Sequence, residues 1–224
     1  MVIMTKILHE KCLYPNDIIH EIGTPRNDIF FNERPDILRK VRKHFGITDN
    51  CRIILYAPTF RKGGDFAYYN VDINKIKEYF ERRSGLEYII MVRLHPNLLK
   101  NEKLFYSIFN SDAINASSYP DMIDLLYASD LLVTDYSSCM FDFMYSYKPI
   151  ILYVPDRLTY DRGFYMDIDK LPFLIVNDNS ELISKLSTYD EVEYKESLRK
   201  FMDQIGSVED GKATQNLYEL LKLY

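Results

Sequence analysis

The chain has 224 residues, of which 47% are hydrophobic and 27% are charged, a composition that excludes an intrinsically disordered protein. Its 28 Lys and Arg residues are outnumbered by 33 Asp and Glu, and the net charge of −5 argues against a nucleic-acid partner bound by bulk charge attraction. Three cysteines without Cys-x-x-Cys spacing argue against a disulfide framework and a zinc site, and favour a reducing cytoplasm.

Short apolar runs alternate with segments of helical period along the chain, which is the pattern of an α/β fold. The apolar runs predict parallel strands covered on both faces, at 52–57, 87–92, 113–114, 130–134, 149–154 and 173–176. Helices are predicted over 34–45, 72–83, 98–109, 121–128, 138–147, 179–187 and 194–222, the last broken near Gly206 and Gly211. We therefore predict a Rossmann-like, doubly wound parallel sheet that binds ligands at the carboxyl ends of its strands.

The first predicted strand leads into a proline, a hydroxyl and a cation. Pro58 ends the ladder because it has no N–H, and Thr59 and Arg61 follow it. Taken alone, this segment is better explained as an ordinary strand exit with turn residues.

The second predicted strand ends in a pair of phosphate-binding side chains. Alternation along an extended segment places Arg93 and His95 on the same side, and Pro96 terminates the strand. Arg offers a planar fork for phosphate oxygens, and His can donate a hydrogen bond or a proton to a leaving phosphate. A structural Arg and a satisfied His remain the alternative.

The fourth predicted strand runs directly into a helix that opens with two serines. Free N–H groups, the hydroxyls of Ser137 and Ser138 and the helix dipole then predict an anion site. Asp142 lies one turn deeper, where its carboxylate could hold a ligand hydroxyl. The alternative is a plain N-cap by Asp135 or Ser137 with a solvated Asp142.

Two weaker candidates for ligand binding lie near the two ends of the predicted fold. Arg26 is a cation within a turn, and Glu209 could accept a hydrogen bond from a ribose hydroxyl. The pair Asp167 and Asp169 is weak support for a metal, and no metal-ligand motif occurs in the sequence.

Five ordered motifs together resemble those of the CDP-glycerol glycerophosphotransferases, the teichoic acid polymerases and primases of bacterial cell-wall synthesis. They are Gly23-x-Pro25-Arg26-Asn27-Asp28, Ala57-Pro58-Thr59-Phe60-Arg61, Arg93-Leu94-His95-Pro96, Thr134-Asp135-Tyr136-Ser137-Ser138-x-x-Phe141-Asp142 and Gly206-Ser207-x-Glu209-Asp210-Gly211. The resemblance implies the C-terminal, donor-binding half of a GT-B arrangement over residues 22–224, preceded by a lead-in segment over 1–21. It also implies the CDP-glycerol contacts, which are Arg26, Pro58, Thr59, Arg93, Leu94, His95, Ser137, Ser138 and Asp142, with Arg61, Asp135 and Glu209 as weaker candidates.

The resemblance further implies the reaction and its partners. A hydroxyl of a lipid-linked teichoic acid acceptor attacks the β-phosphoryl group of CDP-glycerol and releases CMP, at the inner face of the cell membrane. Arg93 and His95 are the expected catalytic residues, clamping the diphosphate. Fixed cations can supply the charge, so no cofactor is required, although a bound Mg²⁺ stays compatible with the site.

One motif of the family has no counterpart in this chain. The family's N-terminal half carries a Trp-His-Gly motif whose histidine is the expected base, and this sequence contains no tryptophan. We therefore expect a separate N-terminal acceptor domain, and the surface where it packs could instead support a homo-oligomer. The alternatives are a UDP-sugar-dependent GT-B glycosyltransferase or epimerase, and a catalytically inactive CDP-binding module.

Overall fold

Six parallel strands form one sheet in the order β3-β2-β1-β4-β5-β6. The computed structural model describes residues 15, 19–61, 66–101, 113–160 and 166–222. The strands are β1 (Arg52–Tyr56), β2 (Tyr88–Val92), β3 (Ile114–Asn115), β4 (Leu131–Thr134), β5 (Ile150–Tyr153) and β6 (Leu174–Val176). The order reverses between β1 and β4, which confirms the predicted doubly wound topology. In open α/β sheets the ligand crevice lies at the carboxyl ends of the strands where the order reverses.

The helices agree closely with the sequence pattern. They are α1 (Pro35–Phe45), α2 (Ile73–Ser84), α3 (Met122–Ala128), α4 (Cys139–Phe143), α5 (Asn179–Ser187), α6 (Glu191–Gln204) and α7 (Ala213–Leu221). The predicted break between α6 and α7 is confirmed, with Gly206 at φ +62° and Gly211 at φ +80°. A 3-10 helix at Pro96–Asn101 covers the start of the segment predicted as a helix over 98–109, and 102–109 lies outside the described residues.

The helix predicted over 138–147 is shorter than expected. It is α-helical only in α4 and continues as one 3-10 turn, Met144–Ser146, before Tyr147 takes a left-handed conformation at φ +57°. Pro149 keeps the helix from running on into β5, because a proline disfavours the helical conformation of the residue before it. The chain then enters β5 directly. Another 3-10 helix, Pro25–Phe30, lies where a turn was predicted near Arg26.

The central strands are the core of the protein. Ile53, Ile54, Leu131 and Leu132 are fully buried, as are their neighbours on β5. Burying each such side chain stabilises the fold by ~1.5–3 kcal/mol, so the sheet is a firm base for the loops at its edge. Cys51 and Cys139 are buried free thiols. None of the described helices has the length and apolarity of a membrane span.

Candidate functional site

The segments that follow β1, β2 and β4 are joined by backbone hydrogen bonds at the carboxyl edge of the sheet. Ala57 N donates to Val133 O at 2.9 Å, and Arg93 N donates to Tyr56 O at 2.9 Å. The hydroxyl of Thr134 donates to Ala57 O at 2.6 Å. The three polar motifs predicted from the sequence therefore meet at one edge, beside the crevice where the strand order reverses.

A buried ion-pair network lies beneath this edge. Arg61 pairs with Asp135 at 2.9 Å and with Asp156 at 2.6 Å, and all three side chains are at most 6% exposed. Thr59 also donates its backbone N–H to Asp135 at 2.9 Å and its hydroxyl at 3.1 Å. Tyr136 completes the network by donating its hydroxyl to Asp156 at 2.9 Å.

The network fixes loops and leaves its charges no exposed face. Burial raises the pKa of Asp135 above its ordinary value, and the guanidinium of Arg61 opposes that shift. Arg61 and Asp135, the weaker ligand candidates, are therefore paired with one another, and Pro58 is buried. Their contribution to a site is to hold the loop that carries Thr59 in place.

Arg93 and His95 follow the end of β2. Arg93 is half-buried, and His95 is exposed. Arg93 donates Nη1 to Tyr119 O at 2.7 Å, and burial lowers the pKa of its guanidinium, which remains charged at neutral pH. Across the described part of the chain, no carboxylate lies within 4.0 Å of this guanidinium. A half-buried cation without a counter-ion is a strong attractor for an anionic ligand.

The neighbouring residues orient these two side chains. Leu94 is buried in the core and donates its N–H to the hydroxyl of Ser117 at 3.0 Å, which fixes the backbone between Arg93 and His95. The Nδ1 atom of His95 accepts from Asn97 N at 3.2 Å. A neutral imidazole that accepts at Nδ1 carries its proton on Nε2, which leaves Nε2–H as the donor.

The two serines lie at the start of α4. Ser137 accepts a long hydrogen bond of 3.4 Å from Cys139 N, while Ser138 is exposed and makes no side-chain cap. Because α4 is only five residues long, the dipole behind these serines is weaker than the predicted helix over 138–147 implied. The hydroxyls, more than the helix dipole, are what this turn offers a ligand.

Asp142 has a protein partner in the structure. It is 8% exposed and binds Arg26, with Nε and Nη2 both 3.1 Å from Oδ1. Burial raises the pKa of Asp142, and Arg26 opposes the shift. The sequence suggests that this carboxylate holds a ligand hydroxyl, which stays a prediction; in the structure it anchors the cation Arg26, whose side chain is 56% exposed.

Glu209 is likewise engaged by the protein, and the ribose contact expected from the sequence stays a prediction. It accepts from Thr24 N at 3.0 Å and from the Asn27 amide at 3.1 Å, which fastens the segment that carries Arg26. Asp28 on the same segment accepts from Ala213 N and Thr214 N, both at 2.9 Å, and so caps α7. Sequence reasoning missed the role of Asn27; the polar turn in which it lies was the available signal.

Among residues 19–61, 66–101, 113–160 and 166–222, no group of three or more His, Cys, Asp or Glu side chains is arranged to hold a metal ion.

Comparison with known proteins identifies the family to which this sequence is related. The sequence model described as CDP-Glycerol:Poly(glycerophosphate) glycerophosphotransferase matches residues 2–223. A teichoic acid poly(glycerol phosphate) polymerase of Staphylococcus epidermidis is 33% identical over 97% of this chain and 31% of its own length. A teichoic acid glycerol-phosphate transferase of Staphylococcus aureus is 34% identical over 97% of this chain and 57% of its own length.

The solved structures that resemble this chain include a protein of the same kind as the sequence relatives. A structure of the wall teichoic acid polymerase TagF with CDPG has a TM-score of 0.75 and 30% identity, covering 98% of this chain and 53% of that one. A glycosyltransferase from Rickettsia africae, at 13% identity and a TM-score of 0.50, shares the fold alone. The chain thus spans from under a third to just over a half of the related proteins compared above. It belongs to the CDP-glycerol:poly(glycerophosphate) glycerophosphotransferase family.

Proposed function

We propose that this chain is the donor-binding half of a glycerophosphotransferase that moves glycerol phosphate from CDP-glycerol to a hydroxyl of a (poly)glycerol phosphate acceptor. The observation that carries the proposal is the half-buried guanidinium of Arg93, which has no carboxylate within 4.0 Å among the described residues, beside the exposed His95 at the edge where the strand order reverses. The names of the relatives support it, and so does the similarity to TagF solved with CDPG.

The reaction requires charge stabilisation at the diphosphate. The acceptor hydroxyl oxygen forms a new bond to the glycerol-bearing phosphorus, and the bond from that phosphorus to the bridging oxygen breaks. CMP leaves with the bonding electron pair, and the hydroxyl proton passes to a base that we assign to a separate acceptor half. Negative charge therefore grows on the oxygens nearest the CMP phosphate, where fixed donors lower the barrier most.

Arg93 and His95 are suited to that position. The free N–H groups of Arg93 can bind two phosphate oxygens at once, because a guanidinium presents a planar fork. His95 can donate Nε2–H to the leaving phosphate while Asn97 holds Nδ1. This arrangement favours hydrogen-bond donation over full proton transfer, since a neutral imidazole that gives up Nε2–H would be left as an anion.

The other site groups complete the donor cradle. Arg26, held by Asp142, supplies a second cation, and the hydroxyls of Ser137 and Ser138 supply neutral donors. With two cations in place the protein needs no cofactor, and Mg²⁺ carried in by the diphosphate remains compatible with the site. Because the expected acceptor is lipid-linked, we place the reaction on the cytoplasmic face of the membrane.

Calorimetric titration tests this proposal against its two alternatives. CDP-glycerol and CMP are expected to bind more tightly than UDP-N-acetylglucosamine, and Arg93→Ala is expected to weaken cytidine-nucleotide binding at least tenfold, because a hydrogen bond to a charged group contributes ~1.5–3 kcal/mol. Arg39→Ala, an exposed cation on α1, is the control and should bind normally. A preference for the uridine nucleotide would favour a sugar-nucleotide enzyme.

Turnover separates an enzyme half from an inactive module. Mixing the chain with the N-terminal half of a related polymerase should restore glycerol phosphate transfer if the donor half is functional. If the mixture binds the donor but transfers no glycerol phosphate, the chain is instead an inactive CDP-binding module.

A further inference from the structure

The guanidinium of Arg93 is tied to the protein by a backbone oxygen. Its Nη1 donates to Tyr119 O at 2.7 Å, and among the described residues this guanidinium has no other hydrogen-bond acceptor. The bond leaves Nε–H and Nη2–H, which are parallel and can bind two oxygens of one phosphate side by side. The direction of Tyr119 O therefore sets the plane in which Arg93 meets a phosphate.

The backbone of Tyr119 is fixed on both sides. Tyr119 N donates to Ala116 O at 3.1 Å, and Ala116 N donates to Val92 O at 2.8 Å, which joins this turn to the end of β2. Pro120 follows Tyr119, and the residue before a proline is restricted to extended conformations. The carbonyl group of Tyr119 thus has little freedom to turn away from Arg93.

The side chain of Tyr119 is bound to a buried carboxylate. Its hydroxyl donates to Asp124 Oδ2 at 3.0 Å, and Tyr119 and Asp124 are 3% and 6% exposed. Lys40 on α1 lies 2.7 Å from the same oxygen and compensates the charge of Asp124. Burial and the hydrogen bond to Asp124 raise the pKa of the Tyr119 hydroxyl, so this group keeps its proton and remains a donor at neutral pH.

Two side chains at the end of α1 pack against the ring of Tyr119. The ring of His44 meets it edge-on, with the centroids 5.1 Å apart, and the ring of Phe45 lies tilted at 5.6 Å. The ring is therefore packed against one helix and bound at its hydroxyl by another. A continuous set of contacts leads from α1 and Asp124 through Tyr119 to Arg93.

We propose that Asp124 is a positioning residue for the donor diphosphate, because it fixes Tyr119, whose carbonyl oxygen orients Arg93. In this arrangement neither Asp124 nor Tyr119 touches the donor. An arginine that is oriented before binding loses less side-chain freedom on binding than a mobile one, and the difference is gained as affinity. The proposal rests on the proposed function, in which Arg93 binds the phosphates of CDP-glycerol.

Removal of one hydroxyl tests the proposal. Tyr119→Phe keeps the ring and the carbonyl but breaks the bond to Asp124, and we expect it to bind CDP-glycerol about threefold more weakly than the wild type, or weaker still. Tyr194→Phe is the matched control. Tyr194 is 5% exposed, and its hydroxyl is bonded to Ile150 N and Lys148 O, at the opposite edge of the sheet. This control should bind the donor normally.

A double-mutant cycle shows whether the effect passes through Arg93. In an Arg93→Ala background, Tyr119→Phe is expected to leave the Kd unchanged, because the group that it orients is gone. Weaker binding in both backgrounds would mean a general structural role and would overturn the proposal. Equal binding by Tyr119→Phe and Tyr194→Phe would also overturn it. If Tyr119→Phe does not fold, Asp124→Asn gives the same comparison, since it removes the charge of the acceptor.

A measurement without nucleotide separates this inference from the proposed function. Nitrogen-15 NMR relaxation of the Arg93 Nε–H group is expected to give a lower order parameter in Tyr119→Phe than in the wild type and in Tyr194→Phe. An unchanged order parameter would refute the positioning of Arg93, even if the donor binds. If the order parameter falls but CDP-glycerol does not bind the wild type, the proposed function is wrong and Tyr119 still orients Arg93.

Discussion

Replacing Arg61 with Met tests whether the buried network holds the carboxyl edge of the sheet together. The substitution keeps the length of the side chain but leaves Asp135 and Asp156, each 4% exposed, without their shared cation. Removing one partner from a buried ion pair costs ~3–5 kcal/mol, because the other charge stays buried and uncompensated. The total free energy of unfolding of a protein is ~5–15 kcal/mol, so this loss is a large part of it.

Urea denaturation measures the loss, and its pH dependence tests the cause. At pH 7 we expect the midpoint to fall by ~1–2 M at an unchanged slope. Burial raises the pKa of Asp135 in the folded protein, so the contribution of this group to stability falls as the pH rises from its ordinary pKa of 3.8 through the raised value. Without Arg61 the upward shift of this pKa is larger. The variant should therefore lose less free energy of unfolding, relative to the wild type, at pH 4 than at pH 7.

Arg82→Met is the control for this prediction. Arg82 pairs with Glu78 on the surface of α2, with 78% of its side chain exposed. An exposed pair of this kind contributes ~0–1 kcal/mol, so the control should unfold close to the wild type at both pH values. If Arg61→Met loses less than ~1 kcal/mol at pH 7, or loses the same amount at both pH values, the network is not what stabilises these loops.

Three further predictions concern the site and its support. His95→Ala should lower glycerol phosphate transfer, measured with an acceptor half present, by ~10²-fold, as when one preorganised donor is removed, while the unfolding midpoint stays unchanged because His95 is exposed. EDTA should leave calorimetric binding of CDP-glycerol unchanged, and a loss restored by Mg²⁺ would show that the fixed cations do not suffice. Gly211→Ala should destabilise the fold by ~1–3 kcal/mol more than Gly46→Ala. Both glycines have positive φ, but only at Gly211 would a Cβ meet Phe31, at 2.5 Å; equal losses in thermal unfolding would refute this clash.

The elements of the fold could be predicted because their signals are local. Continuous apolar runs mark strands buried on both faces, and residues such as Asp72 and Asp190 cap the helices that follow them. The predicted length of helix α4 was too great, because the apolar pattern continues into a 3-10 turn. In that turn Pro149 and the approach to β5 decide the conformation of the chain.

The candidate site could be predicted only in part, since its partners are distant in sequence. Arg93, His95 and Ser137 could be predicted from their positions after strands, because the carboxyl ends of parallel strands lie at the same edge of a sheet. The pairing of Arg26 with Asp142 spans 116 positions, and nothing in the sequence distinguishes a carboxylate that anchors an arginine from one that faces a ligand. Whether Arg61 is a free cation or a buried one depends in the same way on Asp156, 95 residues further along the chain.

The capping of α7 by Asp28 links the 3-10 helix that carries Arg26 to a helix that is remote in sequence. No side chain next to α7 satisfies its first N–H groups, whereas Asp28, 185 residues before Ala213, accepts from them. The first turn of α7 and the Arg26 segment should therefore open in one step, so the rate of amide hydrogen exchange at Ala213 and Thr214 reports how often that segment detaches. A nucleotide that immobilises Arg26 would then slow exchange at the start of α7, through a hydrogen bond that the nucleotide does not itself make.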